Sequence, residues 1–425
     1  MKFRPQILAM MMLLFLAACV TPAPLPLWRT SGAPAGTRTA IPVFFATDRI
    51  ASTAPADTPE YLAQPYGKQI FFDRANSLSF GTATGTIGRR PTSLGPCEPG
   101  WWQQDIVPGI VKPRFPFRSV SPLPDDAFYS ALRSEMERLA TAPATPCSES
   151  EPGALTRPAR RVILYVHGFN DSFDEAAGNA AQLAYDLDIR AAPVFFSWPS
   201  QQSLVEYTRD RTYSERAGPL LKELIAGIVD KVQPDEFYLI AHSLGTRITL
   251  QALNELSVER SARFVPLTAL VLYAPDLDTL VFERTFMESL PRFARRTSVY
   301  ANTHDIPLSV SRRVNGGYAL GDFDGAPFTG PGFHTIDVGP VRQSRLNHSG
   351  FEDSPLITRQ IQADLLGTPV AERPCLCRLS AEGSGAINPT GKQPYYRIAV
   401  GAPACPFDAK VYADRPDTPN CPAQK

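Results

Sequence analysis

The sequence has no excess of charge of either sign and no apolar run long enough to span a membrane. Its 42 lysine and arginine residues balance 42 aspartate and glutamate residues, so the net charge gives no indication of a nucleic-acid partner. The glycines within residues 81–88 are not followed by Gly-Lys-Ser/Thr, which argues against a phosphate-binding loop. The apolar run from Ile7 to Ala18 is shorter than the roughly 20 residues that a membrane-spanning helix needs.

That apolar run has the layout of an export signal. Lys2 and Arg4 precede it and Cys19 follows it. A plain secretory signal cleaved nearby is one interpretation. The stretch Leu-Ala-Ala-Cys resembles the lipobox of bacterial lipoproteins, in which the cysteine becomes the lipid-carrying first residue, and we favour that interpretation. Residues 1–18 would then be the lipoprotein signal peptide, and a Cys19 carrying several acyl chains would anchor the protein to a membrane.

Two further features bear on location. Residues 19–40 are rich in proline, alanine and threonine and are expected to form a tether that holds the folded part away from the lipid. Val20, rather than an aspartate, follows the cysteine, which resembles outer-membrane sorting. We therefore expect a lipid-anchored protein of the bacterial cell envelope, at the outer membrane.

Cysteine is absent between residues 148 and 374. Six cysteines remain after Cys19, and an even number in an exported chain predicts disulfides outside the central region: Cys97, Cys147, Cys375, Cys377, Cys405 and Cys421. The first two form the obvious pair, and the other four are expected to pair among themselves, since two cysteines one residue apart cannot bridge each other without strain. A zinc site is the alternative, but Cys-x-Cys without a nearby histidine is a poor match to structural zinc spacing.

Short apolar runs alternate with helical patterns through the central part of the chain. Most of the runs are uninterrupted, as expected for strands that are covered on both faces. Residues 176–187 and 220–232 show helical periodicity, and Pro219 is placed to begin the second of these helices. The pattern predicts an α/β fold with a mostly parallel sheet and helices on both faces. The runs are residues 161–169, 192–199, 236–243, 267–276, 297–302 and 333–339.

One serine lies where such a sheet would display a nucleophile. The stretch FYLIAHSLGTR, residues 237–247, places Ser243 at the end of a predicted strand and at the start of a helical pattern. Ala241 and Gly245 flank it at two residues on each side, and small residues are needed there because strand and helix nearly collide around the sharp turn. We interpret Ser243 as a catalytic nucleophile.

A nucleophilic serine needs a base and an acid that orients the base. The chain has five histidines, and His348 follows the last predicted strand at the same sheet edge as Ser243. Asp305 follows an earlier strand at that edge, with Asp276 and Asp278 as competing acids. The order Ser243, Asp305, His348 is that of α/β-hydrolases. The amides of Phe169 and Leu244 are the candidates for the oxyanion hole, and no metal or organic cofactor is required.

Seven motifs together make a family resemblance: VFFATDR, VILYVHGFNDSFDEA, VFFSWPS, YLIAHSLGTR, LYAPDLD, YANTHDIPLSVSRR and NHSGFEDSP. In this order, across residues 41–366, they resemble a largely uncharacterised family of bacterial esterase/lipase-like α/β-hydrolases. The resemblance implies the α/β-hydrolase fold and supports Ser243, Asp305 and His348 as nucleophile, acid and base. It does not extend to the proline-rich residues 91–124 or to the cysteine-rich tail.

We therefore expect an α/β-hydrolase domain at residues 41–368 with an insertion at about 91–124, followed by a cysteine-rich extension at 369–425. The expected activity is cleavage of a small-molecule or lipid ester through an acyl-enzyme. Two alternatives stay open. One is a non-catalytic envelope lipoprotein that uses the fold as a binding module, and the other is an acyltransferase or lysophospholipase with the same triad. Oligomeric state is not indicated.

Overall fold

A computed structural model describes a large part of the chain, and all of the described residues belong to one unit that begins at Arg38. The signal, the tether and Cys19 lie outside the described residues. The described residues are 38–56, 58–70, 78–89, 100–101, 115–142, 159–187, 189–200, 207–260, 266–341, 354–373, 375–380 and 393–399.

Strands make up the centre of the fold, and the six apolar runs of the central region all form strands. In chain order the strands are β1 (Arg38–Thr47), β2 (Arg49–Ala51), β3 (Tyr66–Ile70), β4 (Ser79–Arg89), β5 (Gly100–Trp101), β6 (Phe117–Leu123), β7 (Arg161–Val166), β8 (Ala191–Ser197), β9 (Glu236–His242), β10 (Ala269–Tyr273), β11 (Thr297–Ala301), β12 (His334–Asp337), β13 (Leu376–Leu379) and β14 (Tyr395–Ile398).

Helices follow most of the central strands. They are α1 (Pro59–Ala63), α2 (Asp125–Ala140), α3 (Phe173–Leu187), α4 (Tyr207–Gly227), α5 (Gly245–Glu259), α6 (Thr279–Thr285), α7 (Leu290–Phe293), α8 (Ile306–Asn315) and α9 (Pro355–Leu366). A π-helical turn, Ile228–Val232, continues α4, and two short 3-10 turns lie at Met287–Ser289 and Val370–Glu372.

Within the described residues, 12 strands form one large sheet in the order β13-β14-β12-β11-β10-β9-β7-β8-β1-β4-β5, with β6 also paired to β4. Every strand from β14 to β1 in this order is parallel to its neighbours on that path. At one edge of the sheet β13 is antiparallel to β14, and at the other edge β4 is antiparallel to β1, β5 and β6. The α/β fold with a mostly parallel sheet and helices, predicted from the sequence, is confirmed.

The chain reverses its direction of growth across the sheet next to β7. From β7 it passes to β8 on one side and then returns to form β9 on the other side. In open α/β sheets, ligands bind outside the carboxyl ends of the strands at such a switch point. The carboxyl ends of β7 and β9 are therefore the place to look for a site.

Both faces of the sheet are buried, which explains the uninterrupted apolar runs. Alternate residues of a strand point to opposite faces. In β7, Val162 and Leu164 pack into the core layer that holds α2, α4 and α5, whereas Ile163 and Tyr165 pack into the layer that holds α3 and α9. A strand covered on both sides has no position for a solvent-facing polar residue, so its sequence does not alternate.

One predicted helix boundary is wrong. Pro219 does not begin a helix, because α4 starts at Tyr207 and the proline lies inside it. The polar residues that precede the proline are helical even though they show no apolar periodicity. Two of them, Asp210 and Ser214, are fully buried. Asp210 accepts from Ser200 Oγ, which lies outside the helix, whereas Ser214 Oγ donates to Arg211 O one turn earlier in the same helix. Hydrophobic patterning reveals neither partner.

Segments outside the central region extend the sheet at its two edges. β5 and β6, which fall at residues 100–101 and 117–123 of the predicted insertion, both pair with β4. The extension predicted after residue 368 contributes β14, which pairs with β12, and β13, which pairs with β14. Cys375 and Cys377 are both disulfide-bonded. The other four cysteines predicted to form disulfides lie outside the described residues.

Candidate active site

Ser243 occupies a strained turn directly after β9. Its φ is 51°, in the left-handed region that a non-glycine residue enters at a cost of about 1–2 kcal/mol. The turn is held by three backbone hydrogen bonds. The Ser243 amide donates to Tyr273 O at 3.0 Å, and Ser243 O accepts from the amides of Thr246 at 3.0 Å and Asp276 at 3.3 Å. This backbone geometry is that of a nucleophile elbow, in which a strand turns sharply into a helix.

Neighbouring glycines allow this turn to form. A β-carbon on Gly245 would lie 2.5 Å from His167 O and 2.6 Å from Val166 O, which are backbone atoms at the end of β7. A β-carbon on Gly168 would lie 2.8 Å from the β-carbon of Ser243. The elbow and the loop after β7 are therefore packed in direct contact. Ala241, where the elbow motif usually has a glycine, is fully buried and is accommodated.

The loop after β7 carries one of the two amides expected in an oxyanion hole, that of Phe169. The next residue, Asn170, has φ 66°, and its amide donates to Ser200 Oγ at 2.7 Å. Ser200 Oγ in turn donates to Asp210 Oδ2 of α4 at 2.5 Å, and both side chains are fully buried. The buried helix residue Asp210 thus supports the loop through one serine.

The second expected donor, the amide of Leu244, lies at the start of α5. Leu244 precedes the first helical residue and has helical φ and ψ. The first amides of a helix have no acceptor within the helix. Among the described residues, the Leu244 amide donates to no backbone carbonyl. This position suits a donor to an oxyanion. The partial positive charge of the helix N-terminus further stabilises a negative charge there.

His167 is enclosed beneath the loop after β7. Its ring stacks on Trp198 with ring centres 5.2 Å apart and planes 2° from parallel. Trp198 Nε1 donates to His167 O at 2.9 Å, and His167 Nε2 lies 3.0 Å from Trp198 O. Its Nδ1 lies 2.8 Å from Gly168 O. These contacts fit a histidine that orients the loop.

The candidate acid Asp305 follows β11 at the same sheet edge as Ser243. Its carboxylate is fully buried and caps α8, with Oδ1 accepting from the Leu308 amide at 2.9 Å. The competing Asp276 accepts from Ser311 Oγ at 2.9 Å, and Asp278 caps α6 by accepting from Leu280 and Val281. Both competing carboxylates therefore have hydrogen-bond partners in the fold, and Asp278 serves as a helix cap.

A further carboxylate, Asp322, lies close to Asp305. Its side chain is 1% exposed, and its Oδ2 lies 3.4 Å from Arg312 Nε. Burial raises the pKa of Asp322 to about 6, with the negative charge of Asp305 adding to the rise and Arg312 opposing it. Nothing in the sequence distinguishes this aspartate from the others in its loop.

The candidate base, His348, lies outside the described residues, so its role stays a prediction. Three histidines besides His167 lie within the described residues. His242 ends β9 and is buried, and His304 precedes Asp305 and is exposed. His334 begins β12 at the amino edge of the sheet, and burial lowers its pKa.

Neither a metal cluster nor a spanning helix is found in the described part of the chain. No group of three or more histidine, cysteine, aspartate or glutamate side chains there is arranged to hold a metal ion. Among the same residues, no helix has the length and apolar character needed to cross a membrane.

Comparison with known proteins gives the family. The model of the family described as "Alpha/beta hydrolase of unknown function (DUF900)" matches residues 153–367, just over half of the chain. The chain therefore belongs to this family of α/β hydrolases, which indicates hydrolase-type activity in general. It is also similar to the uncharacterized protein alr1448 of Nostoc sp., with 38% identity over a segment that covers 23% of this chain and 32% of that protein. The aligned segment thus spans about a third of that relative's length.

Proposed function

We propose that this protein is a serine hydrolase that cleaves acyl esters through a Ser243–His348–Asp305 triad. The observation that carries the proposal is the strained backbone of Ser243, which projects from the carboxyl end of a central parallel strand. Strained non-glycine residues persist only where the surrounding structure holds them, and they concentrate at active sites. The close packing of Gly168 and Gly245 around the turn gives independent support.

In this mechanism His348 removes the proton from Ser243 Oγ as the oxygen attacks the acyl carbonyl. The amides of Phe169 and Leu244 donate to the oxyanion that forms, and loss of one such donor typically costs about 3–4 kcal/mol of transition-state stabilisation. Asp305 holds the imidazole in the correct tautomer and stabilises its cation. The histidine then protonates the leaving alcohol, and water releases the acyl group from Ser243.

An ester with an apolar acyl group is favoured by the surface at this sheet edge. Leu280 and Val281, in the first turn of α6, are 52% and 43% exposed. Ile306, which follows Asp305, is 43% exposed. These apolar side chains follow two strands at the same edge as Ser243 and offer contact area to an acyl chain.

An open site is favoured over one with a lid domain. Between β10 and β11 the chain forms only α6, a 3-10 turn and α7, the two helices having 7 and 4 residues. A separate lid domain does not fit in this segment, which favours an esterase-like site.

We further propose that the hydrolase is anchored in the bacterial cell envelope by acyl chains on Cys19. The basis is the lipobox-like stretch alone. Metabolic labelling with an alkyne-bearing palmitate tests this, with Cys19→Ala as the variant. Labelled, membrane-associated wild type and an unlabelled variant are expected. Equal labelling of both would contradict lipidation at this residue.

Reaction with a fluorophosphonate probe tests the catalytic proposal. The soluble form that starts after Cys19 is compared with Ser243→Ala and His348→Ala. Ser257→Ala is the matched control, because Ser257 is a buried serine of α5 whose hydroxyl donates to Asn254 O of the same helix. Wild type and control should be labelled and should hydrolyse p-nitrophenyl esters, whereas the two site variants should lose at least about 10⁴-fold in kcat.

Two outcomes count against the proposal. Labelling of Ser243→Ala at the wild-type rate would mean that another residue is the nucleophile. A folded wild type that neither reacts with the probe nor hydrolyses esters would favour the non-catalytic binding module.

A further inference from the structure

Arg49 is a fully buried cation directly after β1 at the carboxyl edge of the sheet. Only 1% of its surface is exposed. Its guanidinium donates three hydrogen bonds to separate segments: Nε to Ser197 Oγ at 2.8 Å, Nη1 to Gly67 O at 3.2 Å and Nη2 to Asp171 O at 2.8 Å. Nη2 also lies 3.5 Å from His167 Nε2. Because the planar guanidinium has a fixed set of N–H directions, it sets the relative positions of the groups that it binds.

Arg49 stays charged although it is buried. Burial lowers the pKa of Arg49 to about 10, while the carboxylates of Asp48, Asp171, Asp174 and Glu175 oppose the fall. A group with that pKa is protonated at neutral pH. Burying a charge is costly, and well-packed apolar residues often stabilise a core as well or better. A buried arginine with three acceptors on separate segments therefore calls for an explanation other than stability.

Two of the three segments that Arg49 joins are the loop that carries Phe169 and the strand end next to that loop. Asp171, whose carbonyl accepts from Arg49, lies two residues after Phe169 on the same loop. Ser197 ends β8 and immediately precedes Trp198, the residue that stacks on His167 beneath the loop. Thr47 Oγ1 donates to Ser197 O at 2.5 Å and accepts from the Arg49 amide, which connects the ends of β1 and β8 at the same place.

We propose that Arg49 is a positioning residue for the oxyanion hole. It holds the Phe169 amide in the orientation that receives the developing negative charge, acting through the Asp171 carbonyl and the end of β8. This inference rests on the proposed function, since it assigns the loop a role in that reaction. Arg49 does not touch the substrate. Its loss should therefore lower kcat, because a misaimed amide weakens the transition state more than the bound substrate.

Arg161 provides a matched control. It is also buried, at 2% exposure, and its Nε donates to Glu236 Oε2 at 2.5 Å. It begins β7, so it lies at the amino edge of the sheet, opposite the elbow. Replacing Arg161 removes a buried guanidinium from the same sheet without touching the loop after β7.

The experiment compares Arg49→Met and Arg49→Lys with Arg161→Met and Arg161→Lys. The first measurement is kcat and KM for a p-nitrophenyl ester. Arg49→Met should lower kcat at least about 10-fold with KM changed by less than about threefold, the pattern of an interaction made only in the transition state. Arg49→Lys should recover part of kcat, because lysine keeps the charge but lacks the fork of donors. The Arg161 variants should keep kcat within about threefold of wild type.

The second measurement, hydrogen–deuterium exchange, does not depend on activity. In Arg49→Met, amides of the peptide spanning residues 167–172 should exchange at least about 10-fold faster, because the loop opens locally more often. The Arg161 variants should leave this peptide unchanged. Exchange and kcat in Arg49→Met that match Arg161→Met would overturn the proposal. If the wild type hydrolyses no ester, the proposed function fails, while exchange still decides whether Arg49 holds the loop.

Discussion

The α-carbon of Gly168 faces the side chain of Ser243 so closely that a β-carbon at position 168 would lie 2.8 Å from that of Ser243 and 3.0 Å from His242 Nδ1. Gly168→Ala must therefore displace the serine or the loop. We expect a cost of about 1–3 kcal/mol in the free energy of unfolding, as for other overpacked sites. The rate of fluorophosphonate labelling should fall at least about 10-fold, because the nucleophile and the Phe169 amide move apart.

Ala241→Gly is the control for that variant, since it alters the other side of the same elbow. Position 241 tolerates an alanine in the folded chain, and a glycine there needs no additional space. The change should cost roughly 0.5–1 kcal/mol through backbone entropy and leave the labelling rate near wild type. Labelling of Gly168→Ala at the same rate as Ala241→Gly would show that the contact between loop and serine is not tight.

Asp305 and Asp276 can be separated as triad acids by the same substitution. Asp305→Asn should keep the cap of α8, because asparagine accepts from the Leu308 amide as aspartate does. It should nevertheless lower kcat by about 10⁴-fold, because the amide favours the wrong histidine tautomer. Asp276→Asn should lower kcat less than about 10-fold. Ester hydrolysis by the two purified variants decides the matter, and a larger loss in Asp276→Asn would assign the acid to that residue.

Asp322 should make stability depend on pH near the site. Its pKa rises on folding from 3.8 to about 6, so the folded state binds the proton more tightly than the unfolded state. Its contribution is therefore fully present below about pH 4 and is lost as the pH rises towards 6. A rise of roughly two pKa units corresponds to about 3 kcal/mol. The unfolded carboxyl is already partly ionised at pH 4, so the stability of Asp322→Asn relative to wild type should rise by about 2 kcal/mol between pH 4 and pH 7.

Urea unfolding at the two pH values measures this difference. Asp324→Asn is the control, because Asp324 also pairs with Arg312, at 2.7 Å, but is 62% exposed. An exposed ion pair contributes about 1 kcal/mol or less, so the control should show little dependence on pH. A difference between Asp322→Asn and wild type that is the same at both pH values would mean that folding does not raise the pKa of Asp322.

The strands and the elbow were predictable from the sequence because each is encoded locally. A strand covered on both faces must be apolar throughout, so residues 161–166 and 236–242 stand out from polar surroundings. The elbow needs small residues within two positions of Ser243, which a short stretch of sequence shows. The helix α2 is encoded locally as well, because Phe128, Leu132 and Met136 recur at a spacing of four residues and are all buried.

The supporting contacts were not predictable because their partners are far apart in the chain. Arg49 lies 118 residues from His167, and no local pattern links the two. Asp210 looks like part of a charged helix surface, yet it is buried because Ser200 provides a partner. The local rule that proline favours the first turn of a helix fails at Pro219, because the tertiary structure extends α4 back to Tyr207. Buried polar residues become recognisable only when their partners are known.

The pair Arg397–Asp337 joins the tail to the last central strand. Arg397 Nε lies 2.5 Å from Asp337 Oδ2, the aspartate is 1% exposed, and its Oδ1 accepts from the Gly339 amide at 2.8 Å. Burial raises the pKa of Asp337, while Arg397 opposes the rise. Arg397→Met would leave a buried carboxylate without its cation, and breaking such a pair typically costs about 3–5 kcal/mol.

Adding Asp337→Asn to Arg397→Met should recover much of that loss. Asparagine keeps an acceptor for the Gly339 amide but carries no charge that needs the arginine. The double variant should therefore be more stable than Arg397→Met alone, although two changes are usually worse than one. Urea unfolding of the single and double variants gives the coupling energy between the two positions. If the two losses simply add, the tail strand contributes packing but no compensating charge, and Asp337 must be neutral in the folded protein.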